Sequence, residues 1–487
     1  MSYNRKGGVV MKITESRKYV VDNLKYALNP KSIAVVGASR YDGKVGYKVI
    51  EGLNKWGYKG KIYPVNPRAE KVHGLKAYKT IKDIPYDVDL VFIAVPAHLV
   101  KMILEHAVEK KAKIVVISTS AFKEIGRGEL QDELTQYCRN NKLPLIGPNL
   151  VGMGSPYLNF NCGFIPYLPS KGPVAMISQS GANLLAALGT SQTLNFGMSF
   201  FVGLGNKADV DFAEFIEYAA VDEYTKCISI YSEGIDSPEA FVKACNKVVV
   251  KKPIVAIKVG GSKIGIKAAF AHTASENIGI EDAFYDDLYE KAGAIRATTW
   301  QEFLDISLAL GLQPPLKDDN VVMITNGGGS GLLSCDHFER KGMPMRQLND
   351  ISPMLAMRIR AYMPMFGSPL NPVDIAGTAS PKNYKGAITQ AVRDPKVSCI
   401  YGSICPTSVT DVDAVTDIYI DIYKKNKYLG KPFVMECQGG KECYDSIMKL
   451  RENGIPAYAT AEQAVNAIVA LRKYGKILEK FGETAQY

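Results

Sequence analysis

The chain has 487 residues, of which 47% are hydrophobic and 22% charged, a balance that is ordinary for a soluble globular protein of about two to four domains. Its formal net charge of +10 permits an anionic ligand. The Lys and Arg residues are scattered, however, and no aromatic and basic motif typical of RNA or DNA binding is present, so a polyanionic small molecule is favoured over nucleic acid.

Cysteine usage and hydropathy point to a cytoplasmic location. The nine cysteines include no CxxC pair and show no regular spacing, which indicates reduced thiols rather than a disulfide framework or a metal site. The N-terminal stretch MSYNRKGGVVMKITESRKYV is charged and lacks the apolar segment of a signal peptide. No apolar run reaches the roughly 18 residues of a membrane span. We therefore expect a protein that is neither exported nor membrane-spanning.

Short apolar runs alternate with helical patterns along the chain, which is typical of βαβ units on parallel sheets. The first block covers residues 1–150 and is predicted to be a Rossmann-like domain. Its strands are predicted at SIAVVGAS, KIYPVNP, DLVFIAVP, KIVVIST and PLIGPN.

Two further α/β blocks follow, and both are predicted to be flavodoxin-like domains. The second covers residues 151–312, where a loop at 151–172 precedes strands at PVAMISQSG, MSFFVGLGN, CISIYSEG and PIVAIKVG. A linker rich in proline and charge leads to the third block at 318–487, with strands at NVVMITNGGGSG, CIYGSICPT and PFVMECQGG. The predicted fold class is α/β, with one Rossmann-like domain followed by two flavodoxin-like domains.

The turn after the first predicted strand is a candidate phosphate site. Glycine lets backbone N–H groups approach a phosphate, and the following helix adds the positive end of its dipole. Turns at this place in a sheet are also rich in glycine for packing reasons alone, and the spacing here is not GxGxxG. The candidate residues are Gly37, Ala38, Ser39, Arg40 and Lys44.

The end of the second predicted strand narrows the choice of ligand. A site for NAD would place an acidic residue here to bind the ribose hydroxyls, whereas this chain has the guanidinium of Arg68. A phosphorylated ribose is favoured, which leaves NADP or coenzyme A. The third and fourth strands would line the same crevice, unless their ends are ordinary turns. The residues assigned to this crevice are Val65, Asn66, Pro67, Arg68, Val95, Pro96, Ser118 and Ser120.

The second block has its own candidate phosphate turn, ISQSG, just before the helical pattern ANLLAALGT. The hydroxyls of Ser178 and Ser180, the backbone of Gly181 and the helix dipole could hold a phosphate together, and the alternative is a plain serine cap. Glu233 ends another strand of this block. A carboxylate at that edge could hold an imidazole in one tautomer and support its cation.

His272 lies in a segment, AIKVGGSKIGIKAAFAHTASEN, that is too poor in large side chains to build a core. A histidine that carries a phosphoryl group needs a slender loop that can swing, with lysines to accompany the anionic cargo. We therefore predict that His272 is phosphorylated during catalysis. The other histidines are interpreted as structural, and they are His73, His98, His106 and His337.

The motifs VVGAS, GPN, SQSG, GNKADVD and EG, followed by HT in a segment rich in Gly, Ala and Lys, occur in one characteristic order. In this order the chain resembles the NDP-forming acyl-CoA synthetase superfamily, which is related to succinyl-CoA synthetase, and most closely the α subunits of ADP-forming acetyl-CoA synthetases. The resemblance runs from about Ser32 to the end of the chain.

The resemblance implies a role for each candidate residue. His272 would be the phosphohistidine, Glu233 its carboxylate partner, and Ser178, Ser180 and Gly181 the phosphate site at a helix end. Coenzyme A would lie along the Rossmann-like crevice, and Asn149 of the GPN motif would border the acyl group. Two positions depart from the family pattern, since Ala274 replaces the Gly of HTGS and Gly261 replaces the Arg of KxGR.

The implied reaction interconverts acyl-CoA, ADP and phosphate with a carboxylic acid, CoA and ATP. No ATP-grasp domain is visible, so the resemblance implies a separate ATP-grasp β subunit that binds ADP or ATP with Mg²⁺, in an α₂β₂ assembly. Acetate or another small monocarboxylate is the expected acid. Two rival interpretations remain, a catalytically reduced CoA-binding regulatory module and an NADP-dependent oxidoreductase.

Overall fold

The structure is a computed structural model that describes residues 17–270 and 280–484. The first unit is built on a five-stranded parallel sheet with the order β2-β1-β5-β6-β7, and β3 and β4 form a small separate hairpin. Its strands are β1 (Ser32–Val36), β2 (Lys61–Val65), β3 (Lys71–Val72), β4 (Leu75–Lys76), β5 (Leu90–Ile93), β6 (Ile114–Ile117) and β7 (Leu145–Ile146). Its helices are α1 (Lys18–Leu28), α2 (Val45–Lys55), α3 (Val100–Glu109) and α4 (Gly128–Asn140).

The second unit has a seven-stranded sheet with the order β14-β13-β12-β10-β11-β8-β9. Its strands are β8 (Gly152–Ser155), β9 (Phe160–Gly163), β10 (Lys171–Ser178), β11 (Met198–Gly203), β12 (Cys227–Ser232), β13 (Ile254–Lys258) and β14 (Ile295–Ala297). Its helices are α5 (Gly181–Leu194), α6 (Phe212–Val221), α7 (Pro238–Val248), α8 (Lys263–Phe270), α9 (Asp282–Ala292) and α10 (Trp300–Leu312).

The third unit repeats the parallel arrangement with the order β16-β15-β17-β18-β19. Its strands are β15 (Val321–Thr325), β16 (Val373–Asp374), β17 (Cys399–Ile404), β18 (Phe433–Cys437) and β19 (Ala457–Tyr458). Its helices are α11 (Gly328–Arg340), α12 (Leu348–Ile351), α13 (Pro353–Arg360), α14 (Pro381–Arg393), α15 (Val412–Asn426), α16 (Lys441–Glu452) and α17 (Ala461–Thr484).

Most central strands are apolar and buried along their whole length, because helices cover both faces of each parallel sheet. Counted among the parallel strands of its own sheet, each unit has the order 2-1-3-4-5. This doubly wound order places a switch point between the first and third strands, where α/β proteins bind ligands at the carboxyl ends. The predicted α/β fold class is confirmed.

The segment at 151–172 differs from the loop that the sequence indicates, because β8 and β9 form an antiparallel hairpin that extends the second sheet. The glycines of this segment make its strands hard to predict from the sequence, since glycine is generally depleted in strands. Here they allow the two paired backbones to approach each other closely. A Cβ on Gly152 would lie 2.5 Å from the Cys162 carbonyl oxygen of the paired strand.

The three units share a continuous apolar core, in which side chains of all three sheets belong to one cluster. Helix α17 links the last two units, since the Tyr474 hydroxyl donates to the Val249 carbonyl at 3.0 Å. In the part of the chain that the structure describes, no helix is both long and apolar enough to cross a membrane.

Candidate functional site

A cleft of about 850 Å³ lies between the first and second units. It opens where the carboxyl ends of β5 and β6 face those of β10 and β12, so that the switch points of two sheets contribute to one cavity. Eight of the residues predicted from the sequence line it, and they are Val95, Pro96, Ser118, Ser120, Asn149, Ser180, Gly181 and Glu233.

The predicted glycine turn after β1 lies beside this cleft rather than in its lining. Gly37 contacts the end of β5, and the first residue of α2, Val45, reaches the cleft wall. The Asn66 amide donates to the Ala38 carbonyl at 2.6 Å and so ties the end of β2 to the same turn. The residues that the structure places in this adjoining region are Gly37, Ala38, Ser39, Arg40, Lys44, Val65, Asn66, Pro67 and Arg68.

Packing explains the glycine at position 37. Its φ of +88° is unfavourable for other residues, and a Cβ here would lie 2.3 Å from the Ala94 carbonyl oxygen. A Cβ on Gly46 would in turn lie 2.0 Å from the Gly37 carbonyl oxygen. The turn therefore needs both glycines to bring α2 against the sheet, whether or not a phosphate binds there.

Three cations stand around this region. Arg40, Lys44 and Arg68 are exposed to solvent, on the turn after β1 and at the end of β2. The Arg68 backbone N–H donates to the Asn66 side chain at 2.8 Å, which fixes the start of the loop that carries the guanidinium. Exposed cations beside a cleft attract polyanions through their summed field.

The two serines of the turn after β10, Ser178 and Ser180, have different surroundings. Ser178 is buried, and its hydroxyl donates to the Ser180 carbonyl at 2.8 Å, so it supports the turn and does not line the cleft. Ser180 caps α5, because its Oγ accepts from the Asn183 backbone N–H at 3.4 Å. The N-terminus of α5 nevertheless opens into the cleft at Gly181, where the helix dipole favours an anion.

Gln179 joins this turn to Glu233. The side-chain Oε1 of Gln179 accepts hydrogen bonds from the backbone N–H of Glu233 at 2.9 Å and from that of Gly234 at 3.2 Å. The backbone N–H of Gln179 donates to the Tyr231 carbonyl at 3.0 Å. Gln179 and Glu233 are both at least nine-tenths buried. One side chain thus fixes the backbone that presents the carboxylate to the cleft.

A buried amide, that of Asn206, connects the two units at the cleft. Asn206 Nδ2 donates to Glu124 Oε2 at 2.6 Å and to Gln131 Oε1 at 2.9 Å, while its Oδ1 accepts from the Asn149 amide at 3.3 Å. Because Asn206 belongs to the second unit and its three partners belong to the first, this network holds the two walls of the cleft in register.

Two buried lysines lie near the Glu233 strand end. Lys207 donates to Asp236 at 2.7 Å and lies 3.7 Å from Asp211. Burial opposes its charge, but these two carboxylates outweigh that effect and raise the Lys207 pKa. Lys258, at the end of β13, has its pKa lowered by burial, a shift that the nearby Glu233 opposes. The strand ends around Glu233 are therefore rich in charge.

His272 lies outside the described residues, so its prediction stands on the sequence. Four polar side chains that line the cleft were not among the predicted site residues, and they are His98, Arg127, Gln179 and Asn206. Gln179 lies inside the SQSG motif and could have been chosen on that basis. His98, interpreted as structural, is exposed and lines the cleft, and no local signal distinguishes it from a surface helix residue.

Within residues 17–270 and 280–484, no three His, Cys, Asp or Glu side chains converge closely enough to hold a metal ion.

Three protein-family models match the chain. They describe a CoA binding domain at residues 31–155, a succinyl-CoA ligase like flavodoxin domain at 171–310 and a ligase-CoA domain at 321–480. Together with the two-unit cleft, these matches define a CoA-binding ligase of the succinyl-CoA ligase type.

Similar proteins narrow the family. The chain is 38% identical to subunit alpha of ADP-forming acetate–CoA ligase I from Pyrococcus furiosus, a match that covers 95% of this chain and 100% of the relative. It is 36% identical to an ADP-forming acetate–CoA ligase of Methanocaldococcus jannaschii, where the match covers 94% of this chain but 65% of the relative.

A solved structure agrees with these relatives. The dinucleotide forming acetyl-coenzyme A synthetase 1 of Ca. Korarchaeum cryptofilum, in complex with phosphate and ADP, matches with a TM-score of 0.89 and 33% identity, over 95% of this chain and 98% of that chain. The chain therefore belongs to the family of ADP-forming acetate–CoA ligases, and the predicted ligase activity and family are confirmed.

Proposed function

We propose that the chain is the CoA-binding α subunit of an ADP-forming acyl-CoA ligase that works through an acyl phosphate and a phosphohistidine. The observation that carries the proposal is the single cleft in which the predicted CoA crevice meets Gly181 at the start of α5 and Glu233. A thioester and an inorganic phosphate bound there would lie side by side. Acetate or another small monocarboxylate is the proposed acid, because no cluster of cations suited to a second carboxylate was found in the sequence.

The proposed CoA site follows the first unit from its rim into the cleft. Exposed Arg40, Lys44 and Arg68 would contact phosphate groups of CoA. The remaining proposed contacts are Gly37, Ala38, Ser39, Val65, Asn66, Pro67, Val95, Pro96, Ser118, Ser120 and Asn149. This arrangement leads the thioester end of CoA from the basic rim towards the α5 N-terminus.

The proposed chemistry transfers one phosphoryl group in three steps. Inorganic phosphate at the Ser180 and Gly181 end of α5 attacks the thioester carbonyl, the C–S bond breaks and the CoA sulfur takes up a proton. An imidazole nitrogen of His272 then attacks phosphorus, and the carboxylate leaves. Finally an oxygen of the ADP β-phosphate takes the phosphoryl group and the P–N bond breaks. Glu233 would stabilise the imidazole cation, and Ser178 would hold the turn through its bond to Ser180.

The nucleotide step needs a second subunit in this proposal. An α-subunit relative matches the chain along its full length, whereas the chain spans about two thirds of the Methanocaldococcus jannaschii relative. We propose that the remaining function belongs to an ATP-grasp β subunit that binds ADP or ATP with Mg²⁺, in an α₂β₂ assembly. The proposed domain boundaries are 1–150, 151–312 and 318–487, and the proposed location is the cytoplasm.

Phosphohistidine labelling tests the proposal. The α and β subunits are incubated with Mg²⁺ and ATP labelled at the γ-phosphate, and we expect an acid-labile, base-stable label on this chain. His272→Asn keeps the size of the side chain but loses the nucleophilic nitrogen, so it should not be labelled. Undiminished labelling of His272→Asn would refute the role of His272.

Calorimetry separates the proposal from its rivals. We expect CoA to bind the isolated chain and NADPH not to bind. An oxidoreductase would bind NADPH, and it would leave the second and third units without a role. A regulatory module would bind CoA but would make no acyl-CoA with ATP and the β subunit present. Synthesis by the chain without a β subunit would refute the proposed division of labour.

A further inference from the structure

A second cavity adjoins the cleft and shares part of its wall. It has a volume of about 440 Å³ and lies between α2 and the segment at 164–166, and we call it the side cavity. Val45 and Phe164 line both the cleft and the side cavity. The apolar part of the lining also includes Trp56, Ile165 and Pro166. Phe164 and Val45 therefore form the boundary between the two spaces.

Phe164 lies close to the start of α5, where the proposed function places inorganic phosphate. Val151 links the two places. A Cβ on Gly181 would lie 2.4 Å from Val151 Cγ1, so the Val151 side chain packs against the first residue of α5. The Val151 carbonyl accepts the Phe164 backbone N–H at 3.1 Å. An acyl group whose carbonyl carbon is within reach of that phosphate is therefore bordered by Val151 and, next to it, by Phe164.

The side chain of Phe164 is exposed although its backbone is fixed. Phe164 is 37% exposed, whereas the next residue, Ile165, is only 5% exposed. The segment thus places one apolar side chain in the core and the other in open space. An apolar substituent on a bound acyl group would cover the surface that Phe164 leaves in water, which the hydrophobic effect favours. The same ring occupies space that a larger substituent would need.

The side cavity is suited to apolar or aromatic groups rather than to a second carboxylate. The Lys48 ammonium is neutralised, because it lies 2.6 Å from Asp42 and 3.0 Å from Glu51. The Lys55 ammonium lies over the Trp56 ring, 4.8 Å from its centroid, in a cation–π contact. The two lysines that line the cavity are thus already engaged by groups of this chain.

We propose that Phe164 limits the size of the acid by closing the acyl end of the cleft against the side cavity. The inference rests on the proposed function and names the residue that makes a small acid the preferred substrate. With the ring in place, the space beside Val151 takes a methyl group or a similarly small substituent. Without it, the cleft and the side cavity would be continuous and would admit a bulky or aromatic carboxylic acid. An apolar pocket of fixed size discriminates by roughly 10- to 200-fold for each methylene group.

Binding of acyl thioesters to the isolated chain tests this limit without any turnover. Phe164→Ala removes a phenyl group from the wall of the cleft, and phenylacetyl-CoA carries one phenyl group more than acetyl-CoA, so the space vacated matches the group added. Affinities for acetyl-CoA, phenylacetyl-CoA and CoA are measured by calorimetry. We expect Phe164→Ala to improve the affinity for phenylacetyl-CoA relative to acetyl-CoA at least about 10-fold, and to change the affinity for CoA less than about 2-fold.

Phe366→Ala is the matched control. It removes a phenyl group from a residue of the third unit that is 71% exposed and lines neither cavity, so all three affinities should stay unchanged. An unchanged ratio of thioester affinities in Phe164→Ala would overturn the proposal, and so would equal affinity of the wild type for the two thioesters. An equal loss of affinity for CoA and both thioesters would show that Phe164 contacts CoA itself, which would also overturn the proposal.

Gly52 tests whether the side cavity takes the larger group. It lines that cavity, and a Cβ at this position would lie 3.6 Å from the Asn161 carbonyl oxygen, which is an ordinary contact. In the Phe164→Ala background, Gly52→Leu should abolish most of the gain in affinity for the longer thioester 4-phenylbutyryl-CoA, whereas Gly52→Ala should retain it. Unchanged affinity for CoA is the control for folding. Full retention of the gain in Gly52→Leu would overturn the role of the side cavity.

Turnover separates this proposal from the proposed function. With the β subunit and ATP present, Phe164→Ala should raise kcat/KM for phenylacetate relative to acetate. If the thioester affinities change as expected but neither acid yields acyl-CoA, the proposed function fails while the size limit stands. If the wild type forms acetyl-CoA but Phe164→Ala changes neither ratio, the proposed function stands and the size limit fails.

Discussion

Gln179 Oε1 accepts the backbone N–H groups of both Glu233 and Gly234, so that one amide oxygen joins the ends of β10 and β12. The bond matters because these two strands flank the switch point of the second sheet. Any displacement of the Gln179 side chain would move the carboxylate that the proposed mechanism places beside His272.

Replacing Gln179 should therefore affect phosphoryl transfer more than CoA binding. Gln179→Met keeps the length of the side chain but removes the acceptor, and we expect kcat to fall about 10- to 100-fold, as when a catalytic group is misplaced. Gln179→Glu retains an acceptor oxygen and should restore part of kcat. Steady-state kinetics with CoA varied should show a KM within about 2-fold of wild type in both variants.

A structural role alone would give a different pattern. In that case the two variants would lose thermal stability together, and KM for CoA would change as much as kcat. The unfolding midpoint of each variant therefore serves as the control. Full activity of Gln179→Met would show that Glu233 needs no such support.

The turn after β1 offers a matched pair of glycine substitutions. Gly37 and Gly43 both have positive φ, of +88° and +80°, but a Cβ meets the Ala94 carbonyl oxygen at 2.3 Å in the first case and nothing within 4 Å in the second. Gly43→Ala should cost about 1 kcal/mol of unfolding free energy from backbone strain. Gly37→Ala should cost at least about 2 kcal/mol and also weaken CoA binding, because the turn must move. Denaturant unfolding and calorimetry measure both effects, and equal costs would contradict the packing argument.

Arg68 should contribute to CoA affinity through a charge-assisted contact. Such a contact is worth roughly 1.5–3 kcal/mol, so we expect Arg68→Ala to weaken CoA binding about 10-fold or more. Arg393→Ala removes a guanidinium from an exposed site on the third unit and should have no effect. Comparison with dephospho-CoA then shows whether Arg68 contacts the 3′-phosphate. Unchanged affinity for CoA would place the ligand away from the end of β2.

Asp305, which lies where the second and third units meet, should make the free energy of unfolding depend on pH. It accepts from Gln301 at 2.9 Å and from Gln463 at 3.0 Å, and burial raises its pKa to about 6, above the ordinary value of 3.8. Because the folded state binds this proton more tightly, the contribution of Asp305 is most favourable below about pH 4 and is lost as the pH rises towards 6.

Between low and high pH, the contribution of Asp305 to the free energy of unfolding changes by at most about 3 kcal/mol. Asp305→Asn cannot ionise, so we expect its unfolding free energy, relative to wild type, to improve from pH 4.5 to pH 7.5. Denaturant titrations at the two pH values measure this change, and the comparison cancels groups that titrate alike in both proteins. A relative stability that does not change with pH would show that Asp305 titrates normally.

Much of the site could be predicted because its residues follow buried strands. An apolar run that ends in glycine, serine or glutamate identifies a strand and the turn at its carboxyl end, and all such ends of a parallel sheet lie on one edge. Val95, Ser118, Ser180 and Glu233 were found in this way. His272 lies outside the described residues and stays a prediction from composition, since an imidazole among small residues has no core to join.

The sequence by itself determined the α/β class, the strand ends and the kinds of side chain placed there, because these depend on local patterns of burial and turn chemistry. Only the tertiary structure decided which strand ends face each other. The order of the strands within each sheet and the pairing of β8 with β9 follow from contacts that a local pattern does not show. The hydrogen bonds from Gln179 to Glu233 and from Asn206 to Glu124 likewise join residues that are far apart in the chain. Such contacts form when packed sheets exclude water and buried polar groups must find partners, and a local pattern does not specify which partner that will be.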